Sequence, residues 1–206
     1  MKYKKKKYFI FFMSIFSFVL FFLLYSVFSV FAQIDLNSYE RFYLEKIKKD
    51  PDNIDLNYDL GLIYLRQGKK TKALDQFHKV AFINPKDTDA LLQLGQLLRN
   101  QGRLKIAEEL LERCVKEKPE KYNAWYQLGL VKSDLLKIND SILCMEKCLQ
   151  YTPREQNKKI AQIYYYMGIL YLNIRNKEKA IFMFDQLKSI DSELSKDLHK
   201  LIQMWN

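Results

Sequence analysis

Residues 88–121 read TDALLQLGQLLRNQGRLKIAEELLERCVKEKPEK, and residues 122–155 read YNAWYQLGLVKSDLLKINDSILCMEKCLQYTPRE. The two stretches align without a gap, with Gly95 opposite Gly129 and a proline near the end of each. Self-similarity at a fixed interval is typical of repeat architectures, in which each unit buries its apolar face against its neighbours. The fold is therefore predicted to be a stack of similar units.

The same interval continues towards the N-terminus, where Gly61 and Pro85 precede Gly95 and Pro119. Within a unit, the apolar spacing predicts two amphipathic helices joined by a turn at Gly68. A glycine inside the first helix costs roughly 1 kcal/mol relative to alanine, so its recurrence indicates that the two helices approach closely. Proline after the second helix lacks the N–H needed to continue it, and the chain turns into the next unit.

These residues resemble the tetratricopeptide repeat, a helix-turn-helix pattern with Leu-Gly and Tyr in the first helix, Ala and Phe in the second, and Pro at the end. The resemblance assigns four units, although the first has Asn57 where the pattern has Trp, and the last has Ser192 where it has Pro. An insertion of about five residues, near 156–160, separates the third unit from the fourth. The four units are 54–87, 88–121, 122–155 and 161–194.

The resemblance implies an all-α fold, a right-handed α-solenoid of helix-turn-helix repeats preceded by a single transmembrane or signal helix. A stack needs polar faces where repetition stops, so both ends are expected to be capped. Residues 35–53 form the predicted N-terminal capping helix, and residues 195–206 form the C-terminal one. Residues 1–34 contain a basic N-terminus and a hydrophobic anchor or signal helix.

Residues 8–32 contain no charged side chain and consist mostly of Phe, Leu, Val and Ile. As a helix rising about 1.5 Å per residue, this stretch would reach roughly 37 Å, enough to cross a hydrocarbon core of about 30 Å with some tilt. The lysines within residues 2–7 favour the cytoplasmic side. The chain is therefore expected to be a single-pass membrane protein with a cytoplasmic N-terminus and a periplasmic or otherwise extracytoplasmic repeat domain.

A cleavable signal peptide is the alternative, because the lysine-rich start precedes an apolar run and Val30-Phe31-Ala32 resembles a small-residue cleavage site. Secretory apolar regions usually span about 7 to 15 residues, and the greater length here favours a retained anchor. Cleavage would instead give a soluble periplasmic or secreted carrier.

Proteins that resemble this family usually hold a peptide or a partner helix on the concave surface lined by the first helices. Chaperone-binding members place Lys and Asn there to clamp a terminal carboxylate, whereas this chain has mostly Tyr, Leu and Gln. We therefore expect an extended or helical ligand held by aromatic contacts, although each tyrosine could instead be a partly buried packing residue. The expected groove residues are Tyr58, Leu62, Arg66, Asp89, Leu92, Gln96, Arg99, Asn123, Tyr126, Leu130, Gln162, Tyr165 and Ile169.

The composition argues against other functions. The net charge is +10, but the basic residues beyond the N-terminus are spread through the chain and do not form the patch expected of a nucleic-acid-binding protein. His78 and His199 have no Ser or Cys arrangement of a recognisable catalytic type, and the chain has no Gly-rich phosphate loop. We expect a non-enzymatic protein-interaction scaffold, with a protein or peptide partner and without cofactor, metal or small-molecule substrate.

The pattern predicts structural roles, and not catalytic or metal-binding ones, for the cysteines and for the acidic residues of the second repeat. The three cysteines lack Cys-x-x-Cys spacing, which disfavours a zinc site or a disulfide framework. Cys114 and Cys148 share one repeat position, where a small residue usually packs between helices, so both are expected to be buried thiols. Glu108, Glu109 and Glu112 fit a solvated helix face.

Overall fold

The computed structural model describes residues 35–205, together with Phe18 and Phe21. Within residues 35–205 the chain forms ten α-helices and no strand, which confirms the all-α class. The helices are α1 at residues 35–49, α2 at Ile54–Arg66, α3 at Lys70–Ile83, α4 at Thr88–Asn100, α5 at Leu104–Glu117, α6 at Tyr122–Asp134, α7 at Ile138–Tyr151, α8 at Asn157–Asn173, α9 at Lys177–Lys188 and α10 at Ser192–Met204.

The predicted membrane-spanning stretch, residues 8–32, lies outside the described residues apart from Phe18 and Phe21. The cleavage site suggested at Val30-Phe31-Ala32 lies outside them as well. In the part of the chain that the structure describes, no helix combines the length and the apolar character needed to cross a bilayer.

The chain divides into two compact units, residues 1–76 and 77–206, and the boundary falls inside α3. In the first unit, α1 is joined to the region after α2 by polar contacts. The amide of Gln67 donates to the Leu36 carbonyl at 3.2 Å, and the Lys69 ammonium lies 2.7 Å from a Glu40 carboxylate oxygen. Burial and the Lys69 hydrogen bond act in opposite directions on Glu40, and the hydrogen bond, the larger effect, lowers its pKa.

The second unit is built from helical hairpins. The helices α4 and α5, α6 and α7, and α8 and α9 pack against each other in pairs, and successive pairs pack through α5 with α6 and α7 with α8. The last helix, α10, packs against both α8 and α9. The C-terminal apolar cluster includes Met167 and Leu170 of α8 and Leu198 of α10. The third and fourth repeats and the closing helix therefore share this cluster.

Local sequence sets where these helices begin and end. The Asp87 carboxylate caps α4 by accepting hydrogen bonds from the backbone N–H groups of Asp89 and Ala90 at 3.1 and 2.9 Å. The helix α5 ends just before Pro119, where the sequence predicted a stop. Asp191 caps α10 in the same way as Asp87 caps α4, and this helix consequently begins before residue 195.

The recurring glycine of the first helix lies against its partner helix. A Cβ atom added to Gly95 would come within 2.5 Å of the Leu111 side chain, and one added to Gly129 would come within 2.6 Å of Met145. Real carbon atoms do not approach so closely, so a side chain at Gly95 would displace Leu111, and one at Gly129 would displace the end of the Met145 side chain. The fourth repeat differs, because a Cβ on Gly168 would meet Leu198 of α10.

The inserted segment between the third and fourth repeats lengthens a helix. The first helices α2, α4 and α6 each have 13 residues, whereas α8 has 17. Its additional turn comes from residues 157–160, which precede the aligned start of the fourth repeat. The insertion therefore adds helical surface at the N-terminal end of α8.

The turn inside each hairpin needs a left-handed backbone. Gly68 and Gly102 have φ angles of 73° and 75°, and the equivalent residues of the next two repeats, Leu136 and Arg175, both have φ of 60°. Residues with a Cβ disfavour this region, at a cost of roughly 1–2 kcal/mol. Leu136 also leaves 84% of its surface exposed, so little packing offsets that cost.

Replacing Leu136 with glycine should stabilise the protein. We expect Leu136→Gly to raise the free energy of unfolding by up to about 1 kcal/mol, because the relief of strain exceeds the added freedom of the unfolded chain. Urea denaturation followed by circular dichroism measures the change. Leu143→Gly is the matched control, since Leu143 is 59% exposed but lies within α7, and it should destabilise by about 1 kcal/mol. Equal destabilisation by both substitutions would contradict the argument.

Candidate functional site

Three of the expected groove residues lie on α2 in the first unit. Leu62 and Arg66 line a cleft of 320 Å³ together with Asp35, Leu36 and Tyr39 of α1 and other residues of the two helices. Tyr58 is half-buried on the same helix. The cleft is both aromatic and charged.

A hydrogen bond crosses this cleft. The Tyr43 hydroxyl donates to a carboxylate oxygen of Asp59 at 3.0 Å, and both residues line the cleft. Burial, with a contribution from Asp59, raises the pKa of Tyr43, so the phenol stays protonated as a donor.

The other ten expected groove residues lie in the second unit, on α4, α6 and α8. Leu92 belongs to the core, with only 7% of its surface exposed, and offers little area to a ligand. The half-buried members are Gln96, Arg99, Tyr126, Leu130, Tyr165 and Ile169, and the exposed members are Asp89, Asn123 and Gln162. The half-buried side chains have both support from the core and some accessible surface.

Two tyrosines meet between the first helices of neighbouring repeats. The rings of Tyr126 on α6 and Tyr166 on α8 have centroids 6.5 Å apart at an angle of 52°. Burial raises the pKa of both phenols, so each remains a neutral hydrogen-bonding group. The repeat register predicts Tyr165 at this position, whereas Tyr166 is the tyrosine that contacts Tyr126.

Lys159, which is not among the predicted groove residues, completes this cluster. Its ammonium lies 3.6 Å from the centre of the Tyr126 ring, well within cation–π range. The side chain is half-buried, and that burial lowers the pKa of Lys159. Among the described residues, no carboxylate lies within ion-pair distance of it. The only sequence signal was its position inside the insertion, which interrupts the repeat register.

Two of the expected groove residues, Arg99 and Asp89, form ion pairs with neighbouring repeats. The guanidinium of Arg99 lies 2.6 Å from a carboxylate oxygen of Asp134, which joins the ends of α4 and α6. The ammonium of Lys121 lies 2.7 Å from Asp89, which joins the beginnings of the same helices. These ion pairs link the two first helices near both ends.

The acidic face of α5 differs from its prediction. Glu109 is exposed and the Glu112 side chain is 51% exposed, but the Glu108 side chain retains only 12%, so its assignment to a solvated face was wrong. The Glu108 carboxylate oxygens lie 3.0 Å from the Lys132 ammonium and 2.8 Å from the Lys137 ammonium, and these ion pairs accompany its burial. The local sequence of α5 could not reveal this, because both lysines belong to the next repeat.

Opposing effects set the ionisation of this cluster. Burial alone would raise the pKa of Glu108, but hydrogen bonds from Lys137 and Lys132 outweigh it, and the pKa is lowered. Burial would likewise lower the pKa of Lys132, but hydrogen bonds to Glu112 and Glu108 raise it. Glu108 and Lys132 are therefore charged and mutually dependent near neutral pH.

The cysteine and histidine side chains do not form a catalytic or metal-binding arrangement among the described residues. The three cysteines are free thiols and buried, which confirms the expectation for Cys114 and Cys148. His78 and His199 are both exposed, and the His199 ring stacks on the Phe184 ring with centroids 5.0 Å apart. Within residues 35–205 no group of three His, Cys, Asp or Glu side chains is arranged to hold a metal ion.

The chain belongs to the tetratricopeptide repeat family. Models described as tetratricopeptide repeat match residues 42–75, 88–131, 122–155 and 161–194, which together make up well over half of the sequence. This result confirms the resemblance drawn from the spacing of glycine and proline. None of the curated protein sequences compared with the chain gave a match.

Solved structures support the same fold. A crystal structure of MamA has a TM-score of 0.71 at 21% identity, and the alignment covers 80% of this chain and 94% of the MamA chain. YrrB, described as a TPR protein with an unusual peptide-binding site, has a TM-score of 0.69 at 23% identity. The alignment covers 81% of this chain and 84% of the YrrB chain. MamA from Desulfovibrio magneticus RS-1 has a TM-score of 0.69 at 20% identity and covers 77% and 86%. The chain is thus similar in fold to proteins of nearly its own folded length.

Glu108→Gln should destabilise the protein by about 2 kcal/mol at neutral pH, because it leaves Lys137 and part of Lys132 without a charged partner. The folded-state pKa of Glu108 is depressed, so its stabilisation is fully present above the unfolded value of about 4.3 and is lost as pH falls through the lower folded value. The difference in unfolding free energy between wild type and variant should therefore be constant above about pH 5 and shrink in acid.

Urea titrations of both proteins at a series of pH values measure this difference. Glu109→Gln is the control, since Glu109 is exposed on the same helix, and it should change stability by no more than about 0.5 kcal/mol. A Glu108→Gln difference that persists unchanged in strong acid would contradict the ionic explanation.

The thiols should be unreactive in the folded protein. Burial raises the pKa of Cys114 and Cys148 to about 11 and that of Cys144 to about 12, and the thiolate is the reactive form. Native protein at pH 8 should react slowly with Ellman's reagent and release three equivalents of thiol rapidly once unfolded in guanidinium. Rapid reaction of one thiol in the native protein would show that its helix pair opens.

Proposed function

We propose that the chain is a non-enzymatic protein-interaction module that holds an extended or helical segment of a partner protein on its first helices. The main supporting observation is the contact between Tyr126 and Tyr166, which presents two half-buried aromatic rings on neighbouring repeats. Aromatic side chains supported by a core and partly open to solvent are the usual anchors of protein interfaces. A peptide-binding site is known for YrrB, which has a similar fold.

The proposal includes right-handed stacking of the repeats in the second unit, the arrangement expected of this family. Such stacking places the first helices side by side, so that Gln96, Leu130 and Ile169 extend the surface around the tyrosines. Leu92 supports that surface from the core instead of forming part of it. In the first unit, the α1–α2 cleft with Leu62 and Arg66 is a separate candidate contact.

We propose further that residues 8–32 form a retained membrane anchor, with the lysines before it in the cytoplasm and the repeats outside. The uncharged length of this stretch and the positive-inside tendency support this orientation. A tether at the membrane would raise the effective concentration of a partner located there. Cleavage after Ala32, giving a soluble periplasmic or secreted carrier, is the alternative. Alkaline carbonate extraction leaves an anchored chain in the pellet and releases a cleaved one.

An enzymatic function has less support. His199 is occupied by its stacking on Phe184 and a 2.7 Å contact with Gln203, and the raised thiol pKa values disfavour a cysteine nucleophile. Purified protein with reproducible turnover of a small molecule would favour this alternative over the binding function.

Removing the Tyr126 ring should weaken binding. Peptides are first selected from a random library on the full chain in mild detergent, and their affinities are then measured by fluorescence anisotropy. Tyr126→Ala should lower affinity about thirtyfold, the effect of losing a central aromatic anchor worth about 2 kcal/mol. Tyr126→Leu, which retains more core packing, should also lower it.

Phe182→Ala is the matched control, because Phe182 is an aromatic residue 57% exposed on the second helix of the fourth repeat. It should leave peptide affinity unchanged. All variants should have wild-type circular dichroism before they are compared. Affinity unaffected by either Tyr126 substitution would remove this face as the binding site.

A further inference from the structure

Lys159 reaches the tyrosine cluster from a segment outside the repeat pattern. It lies in the first turn of α8, within the additional residues that begin at Asn157. A lysine there faces the positive end of the helix dipole, which disfavours its charge. Its burial against neighbouring residues disfavours the charge as well. Two separate effects therefore oppose a lysine at this position.

The described residues compensate this lysine only in part. Tyr126 presents its ring face to the ammonium at 3.6 Å, a favourable but weak contact. Two other basic side chains of these repeats are already paired, Arg99 with Asp134 and Lys121 with Asp89. Among the residues that the structure describes, Lys159 alone of these three has no carboxylate partner. A partly dehydrated cation without a counter-charge lies beside the proposed binding surface.

We propose that Lys159 and Tyr126 form a subsite for an acidic side chain, aspartate or glutamate, from an internal segment of the partner protein. The inference rests on the proposed function, since it specifies the charge of the segment held on the same face. An incoming carboxylate would accept a charge-assisted hydrogen bond from the ammonium, while its methylene groups pack against the tyrosine rings. The same contact would supply the missing counter-charge.

An internal acidic residue fits this subsite better than a chain terminus. Recognition of a terminal carboxylate usually requires several converging donors, but the Arg99 Nε–H already donates to Asp134 and the Lys121 ammonium already donates to Asp89. One ammonium over one ring suits a single flexible carboxylate. The exposed lysine next along the chain, Lys158, serves as a matched reference for the effect of charge alone.

Capped peptide pools test the subsite. Two pools of N-acetylated, C-amidated decapeptides are random except for a central glutamate or a central glutamine, and a third glutamine pool keeps its free C-terminal carboxylate. The full chain in mild detergent is compared with Lys159→Met, Lys158→Met and Tyr126→Ala variants of equal helicity. Captured peptides are quantified by mass spectrometry at low salt and at 0.5 M NaCl.

Wild type and Lys158→Met should capture the capped glutamate pool about tenfold better than the capped glutamine pool, the effect of one charge-assisted contact, and high salt should reduce this preference. Lys159→Met should still capture peptides but without the preference. The inference is overturned if Lys159→Met keeps the preference, if wild type has none, or if wild type favours the pool with a free terminus. Wild type that captures no pool better than Tyr126→Ala would overturn the proposed function, and this inference with it.

Discussion

The close approach of paired helices at Gly95 and Gly129 determines much of the second unit. With a Cβ at Gly95 the branched Leu111 side chain would have to shift, and with one at Gly129 the end of the Met145 side chain would have to shift. Each hairpin in turn presents its second helix to the first helix of the next repeat. Tyr126 lies on the same first helix as Gly129, so its position depends on how closely α6 packs against α7.

The sequence predicted the helical hairpins well, because glycine, proline and the apolar period act over short distances. The departure at Asn57 keeps one hydrogen bond that the Trp position makes. The Asn57 side chain donates to the Pro51 carbonyl at 2.9 Å, and the Trp125 ring N–H donates to the Pro119 carbonyl at 2.6 Å. Each side chain donates to the carbonyl of the proline six residues before it. Asn57 therefore retains this hydrogen bond without an aromatic ring.

The candidate site was less predictable, for two physical reasons. Lys159 comes from an insertion, and a register that aligns repeats assigns no face to residues outside it. Leu92 shows the second reason: an apolar side chain at a groove position can turn into the core, and spacing alone does not distinguish the two outcomes. Charge pairing was also hidden, since Arg99 finds its partner Asp134 in the following repeat.

Tetratricopeptide arrays are often regarded as modular, with units that can be exchanged, duplicated or deleted. The cluster of Glu108 with Lys132 and Lys137 makes one junction of this chain directional. A repeat inserted between the second and third repeats would separate the Glu108 carboxylate of the second from the Lys132 and Lys137 ammonium groups of the third. Each of these partly shielded charges would then lack its partner. The charges of these three side chains thus favour this order of the two repeats. If the repeats were rearranged, all three side chains would have to be replaced together.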